Sequence, residues 1–500
     1  MTIGELLKNI PARSIFGDTN TEIGQIRYNS REVEAGDVFV AINGFHVDGH
    51  IFIPEAIRRG AAIVIHESES RYAEVIDVHV ANSRQTLARM ADRFYNSPAS
   101  ALSIIGITGT NGKTTTAVLI KNILDLAGFP CGLIGTIQYQ IGNKIIEPVW
   151  TTPEAPELHH LFAQLRDQRM RCISMEVSSH ALKQDRVFGL QFRVAVFTNL
   201  SRDHLDFHKD MEDYQRSKEK LFEQLDPVVG WGVSNLDDPV GKSLAKKYPQ
   251  CFYTYSAKRF EGDIYPDGVE ISSHGIAGTF ETPAGGLEIK SPLNGEFNVY
   301  NILAAIGAGV AMDVAPGDIV RGIEQTAFVP GRFEKISVGQ PFNVIIDFAH
   351  TPDSVECSLA AARKITKGKI IALLGCGGDR DAGKRPLMGQ IVSTASDICI
   401  ITSDNPRTEK PEKIIDDIYA GISHGAVTVR IADRKSAIEH ALSLANEGDT
   451  VILLGKGHER YQIIGTKRIV FDDHEISKTW LERQKWDQSP VNKERSIELT

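Results

Sequence analysis

The sequence predicts an α/β protein built from three domains. At 500 residues, and with about 150 residues as a typical domain size, the chain has room for roughly three domains. Short apolar runs that end in Gly-rich turns and lead into segments of helical period recur along the chain, which is the pattern of parallel strands alternating with helices. Hydrophobic residues make up 42% of the chain and charged residues 24%, so enough apolar side chains are present for a substantial core.

Residues 1–98 are predicted to form the first domain. The segments 37–42 (DVFVAI) and 61–67 (AAIVIHE) have the composition of strands, and 53–60 (IPEAIRRG) has that of a helix ended by its glycine. The short polar stretch SPAS, residues 97–100, is interpreted as the joint to the next domain.

Residues 99–331 are predicted to form a central domain around a parallel sheet. A continuous apolar run over 102–109 leads through a Gly-rich turn into a helix over 114–128. The same domain is expected to contain two further strands and one buried helix, at 171–177, 193–198 and 298–312.

Residues 332–500 are predicted to form a C-terminal, Rossmann-like α/β domain. The Pro-Gly pair within 328–334 interrupts the preceding pattern. Beyond it, four apolar strands each precede a loop and a helix, at 342–349, 369–375, 397–403 and 449–455. This alternation indicates a second parallel sheet.

The charge balance limits the classes of partner. The 55 Lys and Arg residues against 64 Asp and Glu give a formal net charge of −9, which argues against nucleic acid, because that partner would require a basic face. Six scattered cysteines without a CxxC pair disfavour a zinc site or a disulfide framework. No apolar stretch reaches 18 residues, so we expect a cytoplasmic protein without a membrane partner. We also expect a monomer.

The clearest local signal is the segment GITGTNGKTTT, residues 106–116. It departs from the strict GxxxxGK[ST] phosphate-loop pattern at one position, because Ile107 stands where that pattern has glycine. Backbone amides at a helix N-terminus can nevertheless converge on phosphate oxygens where glycines permit it. The glycines expected to do so are Gly106, Gly109 and Gly112.

Two side chains at the start of the following helix strengthen this interpretation. Lys113 can neutralise the β- and γ-phosphates of a nucleotide triphosphate, and the hydroxyl of Thr114 can hold Mg²⁺. The alternative is a purely structural Gly-rich turn. The loop indicates a nucleotide triphosphate and does not indicate which reaction it serves.

Acidic and histidine side chains follow two strands of the central domain. Glu176 ends an otherwise apolar strand, where an unpaired carboxylate would be costly and therefore calls for a cation. After the next strand, the segment 197–208 crowds together Asp203, His204, Asp206 and His208. Since the carboxyl ends of parallel strands meet at one sheet edge, we predict a Mg²⁺ site there, although each residue taken singly could be structural.

Tyr214 and Lys218 lie four residues apart and share one face of a predicted helix, with Phe222 next on that face. From spacing alone, the favoured interpretation is an amphipathic surface helix.

An ordered set of motifs carries a more specific inference. These motifs span about 350 residues and are GTNGKTTT, MEVSSH, TNLSRDHLD, NGEFNVYNILAA, PGRFE, DFAHTPDS, GCGGDRDAGKRP, DNPRTEKP and GKGHE. In this order they resemble the Mur ligase family of peptidoglycan synthesis. The resemblance implies one domain for a UDP-sugar, one for ATP and one for an incoming amino acid.

The resemblance also implies a reaction. ATP would phosphorylate the D-glutamyl γ-carboxylate of UDP-N-acetylmuramoyl-L-alanyl-D-glutamate, and the amino group of meso-diaminopimelate would displace phosphate from the acyl phosphate. Lys113, Lys218 and His204 are the implied catalytic residues. Thr114, Glu176, His204 and a carbamylated Lys218 would serve Mg²⁺. The implied ATP-binding residues are Gly109, Thr110, Asn111, Gly112, Lys113, Thr114, Thr115, Asn301, Arg332, Asp347 and His350.

Two further sets of residues follow from the same resemblance. The UDP-sugar dipeptide would contact Ser30, Phe45, His46, Val47, Thr151, Thr152, Ser178, Gln184 and Arg186. Relatives often have asparagine before the Thr-Thr pair, where this chain has Trp150, which puts one substrate contact in doubt. Diaminopimelate would contact Arg380, Asp404, Asn405, Pro406, Arg407, Gly455 and Glu459.

The chemistry of the DNPR segment fits diaminopimelate. Arg407 can pair with the distal carboxylate and Glu459 can accept from the distal ammonium, whereas lysine lacks that carboxylate. Three alternatives stay open at this point: a lysine-adding ligase, a folylpolyglutamate synthetase, and a nucleotide-dependent switch protein without ligation chemistry.

Overall fold

A computed structural model describes residues 1–44, 47–248 and 251–484. The chain divides into two compact units. The first consists of Met1–Leu293 with Phe297–Ala327, and the second of Asn294–Glu296 with the chain from Phe328 onward. The α/β fold class predicted from the sequence is confirmed, with parallel sheets in both units. The three domain boundaries remain a prediction.

The N-terminal part of the first unit is a five-stranded sheet in the order β1-β5-β4-β3-β2. Strands β2 to β5 run parallel, and β1 pairs antiparallel with β5. The first helix is fixed by a capping box between Thr2 and Glu5. The elements are α1 Ile3–Leu7, β1 Ser14–Phe16, β2 Ile26–Arg27, β3 Val38–Val40, α2 Ile53–Arg58, β4 Ile63–His66, β5 Ile76–His79 and α3 Ser83–Phe94.

A larger sheet of eight strands follows, in the order β13-β12-β11-β6-β10-β7-β8-β9. Its strands are parallel except for the β8–β9 hairpin at one edge. The elements are β6 Ser103–Thr108, α4 Lys113–Leu126, β7 Cys131–Ile134, β8 Tyr139–Ile141, β9 Lys144–Ile146, α5 Ala155–Asp167, β10 Cys172–Glu176, α6 Ser179–Lys183, β11 Val194–Phe197, α7 Met211–Glu223, β12 Trp231–Asn235, α8 Pro239–Lys247 and β13 Phe252–Tyr255.

A small antiparallel sheet that the sequence did not predict completes the first unit. It consists of β14 Tyr265–Ser272, β15 Gly275–Glu281 and β16 Leu287–Ser291. Its apolar face joins the core around helix α9, Glu296–Ala311. That helix is buried on nearly all sides, as its apolar composition predicts. Helix α10, Pro316–Glu324, follows it.

The second unit contains a six-stranded sheet in the order β17-β18-β22-β19-β20-β21, parallel except for β17. A short hairpin, β23–β24, follows it. The elements are β17 Glu334–Ile336, β18 Asn343–Asp347, α11 Pro352–Ile365, β19 Ile370–Leu374, α12 Lys384–Ala395, β20 Ile398–Ile401, α13 Pro411–Tyr419, β21 Thr428–Arg430, α14 Arg434–Ser443, β22 Thr450–Leu454, β23 Tyr461–Ile464, β24 Lys467–Val470 and α15 Asp473–Arg483. In the described part of the chain, no helix is long and apolar enough to cross a membrane.

Candidate active site

The phosphate loop lies between β6 and α4, at the carboxyl edge of the large sheet. Two of its glycines have positive φ angles, +151° at Gly109 and +86° at Gly112. A Cβ atom on Gly109 would collide with the Thr198 hydroxyl, and one on Gly112 would collide with Asn301 Oδ1. Both positions therefore require glycine for conformation and for space.

One sequence assignment within this loop is wrong. Gly106 lies inside strand β6 and not in the loop, where an added Cβ would meet the Phe192 ring at 2.6 Å. Its glycine is required for packing of the sheet, not for phosphate binding. Ile107 is also part of β6 and is fully buried, which explains the departure from the strict phosphate-loop pattern.

Residues after strand β11 hold the phosphate loop in place, and sequence reasoning missed them. The Thr198 hydroxyl donates to the Asn111 carbonyl at 2.6 Å. The Asn199 side chain accepts from the Asn111 amide at 2.9 Å. The Ser201 amide donates to the Thr110 hydroxyl at 3.0 Å. The signal that could have found them is their place directly after the strand that neighbours β6 in the sheet.

Two lysines converge on the carbonyl of Gly109. Lys113 Nζ donates to this oxygen at 2.9 Å and to the Thr110 carbonyl at 2.8 Å. Lys218 Nζ donates to the same Gly109 oxygen at 2.7 Å. Thr114 and Thr115 are buried in the first turn of α4, so the predicted phosphate and metal side chains of this segment share one site.

The surface-helix interpretation of α7 is wrong. Tyr214, Lys218 and Phe222 are all buried, and the Lys218 ammonium lies 4.4 Å from the centre of the Tyr214 ring. The Tyr214 hydroxyl is 3.1 Å from that of Thr110. Burial, reinforced by the nearby Lys113 charge, holds the pKa of Lys218 well below its usual range.

Glu176 ends strand β10, next to β6. Its carboxylate accepts from the Thr136 amide at 2.8 Å and from the Thr136 hydroxyl at 3.0 Å. These two hydrogen bonds stabilise part of the negative charge of Glu176, for which the sequence predicts a cation. The convergence of strand ends expected from the sequence is observed, since β10 and β11 flank β6.

His204 lies in the loop after β11 with a positive φ of 55°. Its Nε2 is 3.4 Å from Asp203, and its ring packs edge-on against His180 with 4.7 Å between the centroids. The pKa of His204 lies well below its usual range, because the ring has lost surrounding water and lies near the positive charges of Lys218 and Lys113. The ring is therefore neutral at pH 7, the form that can bind a metal ion.

His208, grouped with His204 in the sequence, has a different role. Its ring is buried, with Nε2 at 2.9 Å from the Ser179 hydroxyl and Nδ1 at 3.4 Å from Asp213. Among the residues the structure describes, no group of three or more His, Cys, Asp and Glu side chains is arranged to hold a metal ion. A site for Mg²⁺ here would need hydroxyl groups or a modified side chain as additional ligands.

Helix α9 contributes Asn301 to the phosphate loop. Its Oδ1 lies against Gly112 and is 3.4 Å from the Thr116 hydroxyl. Its amide nitrogen donates to Asn298 at 2.8 Å. The ATP contact implied for this residue is thus placed beside the loop.

The remaining residues implied for ATP lie in the second unit, Asp347 and His350 at the end of β18 and Arg332 before β17. The Asp347 carboxylate accepts from the Phe333 amide at 2.6 Å, the Ala349 amide at 3.0 Å and the Ser358 hydroxyl at 2.8 Å. Burial raises the pKa of Asp347. The Arg332 guanidinium stacks over the Phe348 ring at 4.5 Å, while His350 Nδ1 is 2.9 Å from the Phe348 carbonyl.

Five of the residues implied for the UDP-sugar dipeptide lie together beside Glu176. The Thr152 hydroxyl donates to the Glu176 carbonyl at 2.9 Å and accepts from the Ser178 amide at 3.0 Å. Arg186 donates to the Thr152 carbonyl at 2.8 Å and to the Gln184 side chain at 2.7 Å. The fifth, Thr151, has its hydroxyl 3.1 Å from that of Thr136.

The other four lie in the N-terminal sheet region or outside the described part. Ser30 is buried and its hydroxyl donates to Glu55 at 3.2 Å. Val47 is half exposed. Phe45 and His46 lie outside the described residues.

Charged residues not selected from the sequence hold Arg186. Its Nε is 3.0 Å from Glu154, whose other oxygen is 3.6 Å from Arg84 of helix α3. Arg186 also lies 5.3 Å from the centre of the Trp150 ring. Trp150 is 54% exposed, and its backbone amide and carbonyl both bond to the Tyr139 hydroxyl. The backbone of the residue that departs from the family pattern is therefore held beside the dipeptide cluster.

The residues implied for the amino acid follow three neighbouring strands, β19, β20 and β22. The Arg407 guanidinium donates to the Gly378 carbonyl at 2.7 Å, and burial together with the nearby Arg380 lowers the pKa of Arg407. Asp404 accepts from the Asn405 amide at 2.6 Å. A Cβ on Gly455 would lie 2.7 Å from Asp404 Oδ2.

The second half of this cluster centres on Asn405. Its side-chain nitrogen donates to Glu459 at 2.7 Å, and its Oδ1 accepts from the Ile463 amide at 2.9 Å. Pro406 follows with its carbonyl against Gly378. Sequence reasoning missed Lys456, which is fully buried and lies 3.1 Å from Glu459, although the quoted GKGHE motif contains it.

Comparison with known proteins agrees with this architecture. The chain matches the Mur ligase family catalytic domain over residues 22–95, the Mur ligase middle domain over 107–309, and the Mur ligase glutamate ligase domain over 331–457.

Individual relatives cover nearly the whole chain. A UDP-N-acetylmuramoyl-L-alanyl-D-glutamate–2,6-diaminopimelate ligase of Clostridium tetani is 42% identical over 489 residues, covering 96% of this chain and 99% of the relative. The ligase of the same name from Gloeobacter violaceus is 45% identical over 467 residues, covering 93% and 95%. A solved structure of a ligase with that name superposes with a TM-score of 0.68 at 32% identity, covering 96% of this chain and 99% of that one. The chain therefore belongs to the Mur ligase family.

Proposed function

We propose that this protein is an ATP-dependent amide ligase that adds meso-2,6-diaminopimelate to the D-glutamyl γ-carboxylate of UDP-N-acetylmuramoyl-L-alanyl-D-glutamate in peptidoglycan synthesis. The observation that carries the proposal is the cluster at the ends of β19, β20 and β22. In this cluster Arg407 lies near both the Arg380 guanidinium and the Glu459 carboxylate, which suits a side chain ending in both a carboxylate and an ammonium. Relatives named for this reaction match nearly the whole chain.

The reaction has two chemical steps. The γ-carboxylate oxygen attacks the γ-phosphorus of ATP, the bond to the β–γ bridging oxygen breaks, and an acyl phosphate and ADP result. The amino group of diaminopimelate then attacks the acyl carbon, and the tetrahedral intermediate collapses with release of phosphate and a proton. In the first step an anionic carboxylate approaches an electrophilic phosphorus surrounded by negatively charged oxygens, and in the second an uncharged amine attacks the electrophilic acyl carbon. Charge screening and exclusion of water are therefore the main tasks of the protein.

The phosphate loop and its lysines would perform the screening. The loop amides at the start of α4 favour phosphate oxygens. In the structure Lys113 donates to the loop carbonyls of Gly109 and Thr110, so it is positioned to turn toward the β- and γ-phosphates when ATP binds. The buried Asn301 against Gly112 keeps the loop in the conformation that presents these amides.

The residues at this sheet edge fit Mg²⁺ only if Lys218 is carbamylated. Thr114 and Glu176 offer oxygen ligands and neutral His204 a nitrogen ligand, but unmodified Lys218 offers no oxygen ligand and the Lys113 ammonium would repel a cation. The lowered pKa of Lys218 favours the neutral amine, which can add CO₂ to give an anionic carbamate and a proton. When bound, Mg²⁺ would neutralise charge on the transferring phosphoryl group.

The dipeptide end of the UDP substrate would lie against the cluster of Thr151, Thr152, Ser178, Gln184 and Arg186. Arg186 supplies a guanidinium, held by Glu154, that can pair with a carboxylate of the substrate. Ser30 and the segment 45–47 would contact the UDP-sugar. This arrangement would place the D-glutamyl γ-carboxylate near Glu176 and the phosphate loop.

Lysine in place of diaminopimelate is the alternative amino acid. It would leave Arg407 without a carboxylate partner in a partly buried site, which costs enough for about 10³-fold discrimination. We place the reaction in the cytoplasm and expect the protein to act as a monomer.

The test is ADP release with UDP-N-acetylmuramoyl-L-alanyl-D-glutamate, run separately with meso-diaminopimelate and with L-lysine. Release that depends on both the UDP substrate and diaminopimelate is the expected result. A preference for lysine would keep the ligase and contradict the assignment of Arg407. ATP hydrolysis that needs no UDP substrate would instead favour a nucleotide-dependent switch protein.

A further inference from the structure

Lys456 is a buried cation beside the amino-acid cluster that the reaction as described does not use. It follows β22 directly, and its side chain is 0% exposed. Its Nζ donates to Glu459 Oε2 at 3.1 Å, to Asn405 Oδ1 at 3.4 Å and to the Tyr461 carbonyl at 2.5 Å. A lysine buried to this extent requires compensation of its charge, and Glu459 is the carboxylate that provides it.

The two oxygens of Glu459 differ in their surroundings. Oε2 accepts from Lys456 and from the Asn405 side chain at 2.7 Å. Oε1 has one recorded contact within the described residues, a long one of 3.5 Å to the Tyr461 hydroxyl. Oε1 is therefore the oxygen that an incoming ammonium group can approach, on a carboxylate whose charge Lys456 already offsets.

This pairing changes what the cluster attracts. Without Lys456, Glu459 would offer a full negative charge and would attract any amino acid with a distal ammonium. With Lys456 in contact, the pair is neutral overall, and the charges of Arg407 and Arg380 are opposed by the nearby carboxylates of Asp404 and Asp379. A distal end carrying only an ammonium then gains little net attraction, whereas one carrying a carboxylate as well can pair with Arg407 and is electrostatically balanced.

We propose that Lys456 is a specificity-determining residue, whose buried ammonium offsets Glu459 so that the site rejects amino acids ending in an ammonium group alone. The proposal deepens the proposed function and rests on it. It assigns part of the discrimination against lysine to a positive charge behind Glu459, in addition to the lost partner of Arg407.

The test compares kcat/KM for L-lysine and for meso-diaminopimelate in the full-length enzyme and in Lys456→Gln, which removes the charge and keeps a hydrogen-bond donor. We expect the lysine-to-diaminopimelate ratio to rise about tenfold in Lys456→Gln. The KM values for ATP and the UDP substrate should not change. Lys467→Gln is the matched control, because Lys467 is an exposed lysine of the adjacent hairpin, and it should leave the ratio as it is.

A double-mutant cycle with Glu459→Gln separates the charge of Lys456 from other effects. The expected order of the lysine-to-diaminopimelate ratio is Lys456→Gln highest, then wild type and the double variant, with Glu459→Gln lowest. If Lys456→Gln does not fold, the double variant, which retains a neutral pair, is compared with Glu459→Gln alone. An equal ratio in those two, or an unchanged ratio in Lys456→Gln, would overturn the proposal.

Failure of the proposed function is a different result. In that case the wild-type enzyme would release no ADP with diaminopimelate. If the wild-type enzyme ligates diaminopimelate and the ratios do not move, the function stands and the role of Lys456 does not.

Discussion

The phosphate loop and the amino-acid cluster both lie at carboxyl edges of parallel sheets, yet they are held by different kinds of interaction. Hydroxyl, amide and ammonium groups brace the phosphate loop, those of Thr198, Asn199, Asn301, Lys113 and Lys218. Around the amino-acid cluster, buried cations are paired with carboxylates. These pairs are Arg385 with Glu409 and Asp417, Arg434 with Asp473, and Lys456 with Glu459.

The difference corresponds to the task of each region. A loop that must receive a polyanion gains from neutral and cationic supports, because fixed carboxylates in their place would repel the ligand. A site that must distinguish amino acids by their charged ends gains from a fixed charge pattern. Such a pattern is costly to disturb, since breaking one partner of a buried pair leaves an uncompensated charge.

The largest effect is expected from Lys218, a buried lysine that contacts the phosphate loop. Lys218→Met should lower kcat by about 10³-fold, because it removes both the contact to Gly109 and the group that can carry a carbamate. The measurement is steady-state ADP release with all three substrates. Lys220→Met is the matched control, since Lys220 lies on the same helix with its side chain 41% exposed. A similar loss in both variants would contradict a specific role.

Arg407 tests the charged region. Arg407→Ala should lower kcat/KM for diaminopimelate by about 10²- to 10³-fold and for lysine much less, because only diaminopimelate offers a distal carboxylate. Competition between the two amino acids measures the ratio directly. Arg430→Ala, which removes an exposed pair with Asp416, should leave it unchanged. Equal losses with both amino acids would show that Arg407 is not the selective contact.

Gly112 tests the phosphate loop. Gly112→Ala should lower kcat/KM for ATP by about 10²-fold, because the new Cβ meets Asn301 Oδ1 and displaces the loop amides. Gly128→Ala is a close control at the other end of α4. It has a similar φ of +78° but no atom within 4 Å of the added Cβ, so it shares the backbone strain of about 1 kcal/mol without the collision. ATP kinetics that fall equally in both would assign the effect to strain.

The smallest expected effect concerns pH. Burial lowers the pKa of His208 to about 4, below its value in the unfolded chain, so the folded form keeps the ring neutral. Between about pH 6.5 and pH 4 the unfolded state binds more protons, and the free energy of unfolding should fall by about 1–3 kcal/mol as pH decreases through this window. Denaturant unfolding at several pH values measures the slope, which His208→Gln should reduce. An unchanged slope would mean that His208 titrates normally.

The two regions also differ in how far the sequence predicts them. The phosphate loop follows from adjacent residues, because a strand, its glycines and Lys113 lie within one short segment. Even there Gly106 was misassigned, since sequence spacing cannot tell a glycine needed for a turn from one needed beside the Phe192 ring. The burial of Lys218 could not be predicted either, because helical spacing shows which residues share a helix face and does not show whether other parts of the protein cover that face.

The charge pairs of the second unit could not be predicted from local sequence patterns, because their members are far apart in the sequence. Arg385 and Glu409 are 24 positions apart, and Arg434 and Asp473 are 39 apart. Each pair forms only when the fold brings separate elements together, because Arg385 lies in α12, Arg434 begins α14 and Asp473 begins α15. The small sheet β14–β16 was not predicted, although β16 alternates regularly between buried and exposed residues. Strand β14 is less regular, with a register shift between Asp267 and Glu270.

The hairpin β23–β24 has a consequence for changing the amino acid that such a ligase accepts. The Arg407 amide donates to the Ile463 carbonyl at 3.1 Å, and the Arg407 carbonyl accepts from the Gly465 amide at 2.7 Å. The peptide of Arg407 is thus held by the hairpin independently of its side chain. The side chain at position 407 can therefore be exchanged without loss of these backbone hydrogen bonds. An exchange of the whole segment 404–407 between ligases would need to include the hairpin that supports it.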